Sequence, residues 1–226
     1  MSKKRICLRD RRLPDYTKGE EVFNMVTHVV GGAIGVATLV LCAVIAAVRG
    51  SLSGVLSSIV FGVSMTVLYV TSSIYHGLRY NMAKKVFQVL DHCTIYLLIA
   101  GTYTPILVCS VAPKYPLAGW GTLICLWGVT ALAITLNGID LSKYKVFSMV
   151  SYVAMGWSVI FSIRQVIECL SWQGFFLVLG GGLFYTGGVI FYAFGKKVRY
   201  FHSIFHLMTV FGSICHTLAV IFYVLL

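Results

Sequence analysis

Ser72-x-x-x-His76 and His202-x-x-x-His206 place a serine and three histidines at the ends of two apolar runs, and Asp91 opens a third run. Two histidines four residues apart project from one face of a helix, as in helical zinc motifs. A histidine from a second helix would complete three protein ligands. Three ligands leave a fourth position open, the pattern of a catalytic rather than a closed structural zinc. Such an ion lowers the pKa of water towards ~7 and makes hydroxide available at neutral pH. Asp91 would hold that water or act as general base. Ser72, one turn before His76, would hydrogen-bond the water, a substrate carbonyl or a ligand. Imidazoles also suit other metals such as Fe or Mn, and the same residues suit a proton or ion pathway.

The elements that must position these groups are membrane helices. The chain has 226 residues, 58% of them hydrophobic and 11% charged, with a mean hydropathy of +0.88. Soluble domains carry about 25% charged residues. The apolar residues are gathered in runs close to the ~20 needed to cross ~30 Å of hydrocarbon. Seven spans are predicted, at 22–48, 53–77, 87–110, 117–136, 146–164, 174–194 and 203–225. The fold class is therefore an all-α, seven-transmembrane helix bundle, with a basic cytoplasmic arm over 1–21 and a transmembrane domain over 22–226.

Basic residues set the orientation. The arm carries Lys3, Lys4, Arg5, Arg9, Arg11, Arg12 and Lys18, and alternate loops add Arg79, Lys84, Lys85, Lys143, Lys145, Lys196, Lys197 and Arg199. Only Arg49, Lys114 and Arg164, of 18 Lys and Arg, fall on the other side. This bias predicts a cytoplasmic N-terminus and an outside C-terminus. The net charge of +11 is then a matter of topology and of anionic lipid at the basic arm, and no nucleic-acid partner is expected. The first apolar run exceeds the 7–15 residues of a signal-peptide core, so it is expected to stay as the first span.

On that topology His76, Asp91, His92, His202 and His206 all lie near the cytoplasmic face. So does a first-span set at i, i+4 and i+8: Glu20, Asn24 and His28. His216 lies ten residues, nearly three turns, deeper than His206. Glu20, Asn24, His28, His92 and His216 are candidates for a supporting shell. Gly31, Gly32 and Gly35, with Gly180, Gly181, Gly182, Gly187 and Gly188, read as close helix packing. Pro105 is expected to kink the third span, with nearby hydroxyls taking up the freed carbonyl. Asn137-Gly138 is expected to turn the chain after the fourth span. Seven cysteines without a C-x-x-C read as free, buried thiols.

The segments Ser72-Ser73-Ile74-Tyr75-His76, Leu90-Asp91-His92, Gly101-Thr102-Tyr103-Thr104-Pro105 and His202-Ser203-Ile204-Phe205-His206, with Glu20-Glu21-Val22-Phe23-Asn24-Met25-Val26-Thr27-His28, resemble the haemolysin III family. That family is the bacterial branch of the progestin and adipoQ receptor family and is similar to alkaline ceramidase-type membrane hydrolases. The resemblance runs from about residue 18 to the C-terminus. It implies zinc on His76, His202 and His206, a functional aspartate at Asp91 and the motif serine at Ser72. It implies a bacterial cytoplasmic (inner) membrane, a membrane lipid or fatty-acyl ligand, and hydrolysis of a lipid amide or ester. Two other functions are compatible with it: a non-enzymatic regulator of membrane state whose zinc is structural, and the cytolysis that the family name states.

Overall fold

Capped starts and apolar interiors set the helix boundaries. In the computed structural model, residues 6–195 and 197–226 are described, so Lys3, Lys4, Arg5 and Lys196 of the charge pattern lie outside them. Helix α1 spans Lys18–Val48. It begins with a capping box: Thr17 takes the Glu20 N–H, and the Glu20 carboxylate takes the Thr17 N–H. Helix α2 (Leu52–Gly77) is capped by Ser51, and α3 (Met82–Pro105) by Asn81. Helix α4 (Pro116–Asp140) opens on proline, whose missing N–H costs nothing in a first turn. Helices α5 (Lys145–Gly156), α6 (Ile163–Phe194) and α7 (Phe201–Val220) complete the chain. Among the described residues there is no strand.

Among the described residues, six stretches are long and apolar enough to cross a membrane. Five match predicted spans. The other runs over Lys145–Phe194, 50 residues, and takes in both the fifth and sixth predicted spans. It is not one straight helix. A short 3-10 segment, Ser158–Ser162, separates α5 from α6, and Ser171 sits at φ 62 inside α6, within the predicted 165–173 break.

The distribution of side chains suits a bilayer. Val29, Val40, Val44, Leu117 and Ile124 face outward, whereas Asn24, Ser58, Ser72 and Asn137 are buried. Lipid inverts the usual pressure: the outside is as apolar as the core, and polar groups go inside. The fold is that of a multi-pass membrane protein.

Helix α1 packs along α2, α2 along α3, and α6 along α7, while α1 also meets α7. Small residues permit the α1–α2 approach. A Cβ at Gly31 would lie 2.6 Å from the Tyr69 ring, and one at Gly35 would lie 2.9 Å from the Thr66 hydroxyl. In α6 the pattern is mixed. Gly181 and Gly188 face α7, but Gly180, Gly182 and Gly187 have open space around them, so close packing does not explain those three.

Two local expectations are corrected. Asn137-Gly138 does not turn the chain, because α4 continues to Asp140. Asn137 is buried and accepts the Ser148 hydroxyl at 2.8 Å, and the turn is made by Asp140, whose Oδ1 takes the Ser142 and Lys143 N–H groups. At Pro105, the Thr102 and Thr104 hydroxyls bond the carbonyls of Leu98 and Ala100 rather than the carbonyl freed at Gly101. The helix instead continues in a wider π register over Ile106–Val111, a common adjustment where a backbone donor is missing.

The arm folds back onto the bundle. Its Leu8–Asp10 turn lies against α3, where the Lys85 ammonium donates to the Arg9 carbonyl. The Ile6 N–H reaches Asp140 Oδ2 at 3.1 Å. Residues 18–21, predicted as arm, are the first turn of α1.

Candidate metal centre

His202 and His206 stand one turn apart at the start of α7, with their Nε2 atoms 2.9 Å from each other. The start of α7 is fixed from α1. Tyr200 adopts a left-handed conformation at φ 62, and its N–H donates to Glu20 Oε1 at 2.7 Å. His76, in the last turn of α2, brings the third ring. One ligand atom from each of the three histidines fits within a set no wider than 4.8 Å, and all three residues are buried.

Outer contacts fix how these rings are presented. His76 Nδ1 lies 2.6 Å from Glu21 Oε2 and 3.5 Å from Asn24 Nδ2. The carboxylate is the closer partner and accepts only, so Nδ1 carries the proton. In the neutral imidazole this leaves Nε2 to offer its lone pair, and that atom is buried and without a hydrogen-bond partner among the described residues. Glu21 is held in turn by the Lys84 ammonium, 2.7 Å from Oε1. His206 Nδ1 pairs with His28 Nε2 at 2.7 Å, and His202 stacks on Tyr16 with ring centroids 4.8 Å apart. Metal-binding histidines characteristically have their second nitrogen held as those of His76 and His206 are. The donor set, the unpartnered lone pair and the crowded imidazoles fit a metal ion.

The other predicted residues divide. Asn24 and His28 touch the trio, as above. Glu20 serves the α1 cap and the α7 start. His92 has its Nδ1 at 2.8 Å from the Gln88 carbonyl and its Nε2 at 3.4 Å from the Tyr192 hydroxyl, so its ring nitrogens are engaged outside the trio. His216 stacks on Tyr185 at 5.5 Å, ten residues beyond His206. Ser72 is 0% exposed, and its hydroxyl has no partner among the described residues. Asp91 is half-buried, 3.6 Å from His92 Nδ1. Glu21, Lys84 and Tyr16 were not predicted. Glu21 was legible, because residues 21, 24 and 28 follow i, i+3, i+7.

Two cavities flank the trio. One, of about 500 Å³, is walled by His28, Ser72, Asp91, His202 and His206 and continues past Leu98 and Val178 to Trp157, Tyr185 and His216. Its inner part is mainly apolar and aromatic. The other, of about 570 Å³, is lined by His76 with Asp15, Lys18, Glu21 and Lys84. The three histidines therefore form part of the partition between an apolar cavity and a charged recess.

Residues 16–217 match the family model described as Haemolysin-III related. The chain belongs to the haemolysin III family. It is 36% identical over 214 residues to Hemolysin-3 of Bacillus cereus, covering 95% of both chains. It is 34% identical over 208 residues to the Hemolysin-3 homolog of Bacillus subtilis (strain 168), covering 92% of this chain and 96% of that one. A more distant likeness is to the human Monocyte to macrophage differentiation factor, 24% identical over 169 residues, 71% of this chain and 67% of the relative. The whole trio, Glu21, Ser72 and Asp91 fall inside the family match, whereas Arg11 and Arg12 precede it.

Proposed function

We propose that this haemolysin III protein is a zinc-dependent membrane hydrolase that cleaves an amide or ester bond of a lipid. One observation carries the reading: two of three converging imidazoles, His202 and His206, line one largely apolar cavity with the Asp91 carboxylate and with Ser72, whose hydroxyl has no partner among the described residues. When bound there, zinc would supply Lewis acidity towards a carbonyl and lower the pKa of water. His76, His202 and His206 hold the ion, and Glu21 and His28 orient two of those rings. The Asp91 carboxylate accepts the proton released as water attacks and returns it to the leaving group. Ser72 Oγ, with no competing partner, donates to the oxygen on which negative charge develops. The cavity holds the acyl chain and excludes bulk water.

The same reading includes seven crossings in a bacterial cytoplasmic membrane, N-terminus inside and C-terminus outside. A straight helix of the length of Lys145–Phe194 would run about 75 Å, more than twice the ~30 Å hydrocarbon. The breaks at Ser158–Ser162 and Ser171 allow two crossings, and the basic residues then fall mainly inside.

A second reading rests on the same contacts. The trio joins α2 to α7, and Glu21 and His28 add α1, so zinc would also serve as a brace in a non-enzymatic regulator of membrane state. Asp91→Asn separates the two. In a hydrolase, the substitution abolishes turnover of acyl amides and esters while zinc content and melting temperature stay near wild type, because an amide cannot take up a proton at neutral pH. Wild-type protein that holds one zinc and cleaves nothing across a broad acyl-lipid panel overturns the hydrolase reading.

A further inference from the structure

The wall of the cavity beside the trio also holds a buried cation. Arg11 follows the Leu8–Asp10 turn of the arm, is 7% exposed and lines the cavity wall. Its Nε and Nη1 are buried and have no hydrogen-bond partner among the described residues. The nearby carboxylate of Asp140 is committed elsewhere: Oδ2 takes the Ile6 N–H at 3.1 Å, and Oδ1 takes those of Ser142 and Lys143 at 3.0 and 3.1 Å. Burial pulls the Arg11 guanidinium below its ordinary value, and Asp140 acts against that shift. Arginine nevertheless stays charged in proteins. A buried, charged fork without an acceptor is costly unless an anion completes it. Arg12 and Lys145, both exposed, line the same cavity and add positive charge. Asp91 is the only carboxylate lining this cavity among the described residues.

The cavity has the reach for a chain-like ligand. It touches α7 from His202 to His216, about 21 Å of helix, and its volume is within the range of small-molecule sites. We propose that Arg11, with Arg12 and Lys145 beside it, binds the carboxylate or phosphate headgroup of a single-chain acyl amphiphile whose tail runs inward past the trio to Trp157 and His216. This rests on the reading of the cavity as a lipid site and gives its substrate class: an acyl chain linked by an amide or ester to an anionic headgroup. The fork fits either anion in bidentate fashion, and the apolar inner wall requires that the anion carry a chain.

Binding tests this without any need for turnover. Full-length protein in zwitterionic lipid nanodiscs is titrated with labelled palmitate, hexadecyl phosphate, hexadecanol and inorganic phosphate; none contains an acyl amide or ester. Palmitate and hexadecyl phosphate are expected to bind about ten- to a hundredfold more tightly than hexadecanol, the range of a charged hydrogen bond. Arg11→Gln should remove that preference by weakening the two anions alone, Arg11→Lys should keep part of it, and Lys18→Gln, in the other recess, should keep all of it. Equal affinity of the wild type for palmitate and hexadecanol overturns the proposal. So does an Arg11→Gln protein that weakens all probes equally. Inorganic phosphate binding as tightly as hexadecyl phosphate would assign Arg11 to a soluble anion and overturn the lipid source. Should the Arg11→Gln chain fail to fold, the wild-type and Arg11→Lys comparisons still decide. An intact preference for anions in a protein that hydrolyses no lipid upholds the headgroup site while the hydrolase reading falls.

Discussion

Glu20 and Glu21 are neighbours in sequence with separate roles, and replacing each by glutamine should reveal this. Glu21 holds two donors at once, His76 Nδ1 at 2.6 Å and Lys84 Nζ at 2.7 Å. A glutamine has one carbonyl oxygen, so its NH₂ group must face one of those donors. If it faces His76, the ring is driven to the tautomer with hydrogen on Nε2, and that hydrogen points into the trio. If it faces Lys84, a buried lysine loses its carboxylate and keeps the Leu78 carbonyl, 3.0 Å away, and the face of the Tyr75 ring. Either way the imidazole is presented less well. Loss of such an outer partner typically weakens metal binding about 10–100-fold, or ~1.4–2.7 kcal/mol. Glu20→Gln disturbs the helix cap and the Tyr200 contact instead. It should lower stability by about 0.5–2 kcal/mol and leave metal affinity near wild type. Competition of purified protein against a fluorescent zinc chelator measures affinity, and denaturation in excess chelator measures the apo stability. Wild-type zinc affinity in Glu21→Gln, or equal losses in the two variants, would refute the assignment of Glu21 as the group that orients His76.

Three further outcomes follow from the geometry. His202→Ala should strip most of the zinc, because two ligands hold a tetrahedral ion poorly, whereas His216→Ala, which removes a ring stacked on Tyr185, should leave zinc content largely intact by elemental analysis. A periplasmic reporter fused after Leu226 should be active and a cytoplasmic one should not, with the reverse for reporters placed at Lys84–Lys85. Gly31→Ala should cost about 1–3 kcal/mol through overpacking, because Tyr69 is held by Thr209 and Ser213 and cannot yield, whereas Gly182→Ala, with open space around it, should be neutral or slightly stabilising in thermal unfolding.

Much of the architecture was legible because lipid restricts the options so strongly. Long apolar runs with capped starts have to be helices, and residues such as His202 and His206 at i, i+4 have to share a face. Ligand spacing within one helix is local information. What joins His76 to that pair is the packing of α2 and α7 around α1, which no local pattern contains. The phase of α1 carries a local signal of its own. At about 100° per residue, residues 20 and 28 lie about 80° apart around the helix, while residues 21 and 28 lie only about 20° apart. The second set is the one that touches His76 and His206. Likewise Asp91 and His92 are adjacent and point about 100° apart, so one residue facing a site argues against the other facing it. Tyr16 and Arg11 were hidden for a different reason: the arm reads as a basic leader, and only the folded chain shows it turning back over the cavity.

Helix α1 lies outside the trio, yet it touches two of its three rings. Glu21 sets His76 from one end of a two-turn stretch, and His28 meets His206 from the other. Its Gly31 sits against Tyr69, whose ring meets His28 edge-on at 4.9 Å and whose hydroxyl holds α7 through Thr209. A metal ion bound by α2 and α7 therefore also stabilises the seating of α1, and by linkage a better-seated α1 raises metal affinity. Brace and catalyst are not exclusive roles for such an ion. They separate only at Asp91 and Ser72, which line the same cavity as His202 and His206 and make no hydrogen bond to the trio among the described residues. For that reason substitutions at those two positions, rather than at the histidines, decide what the site does.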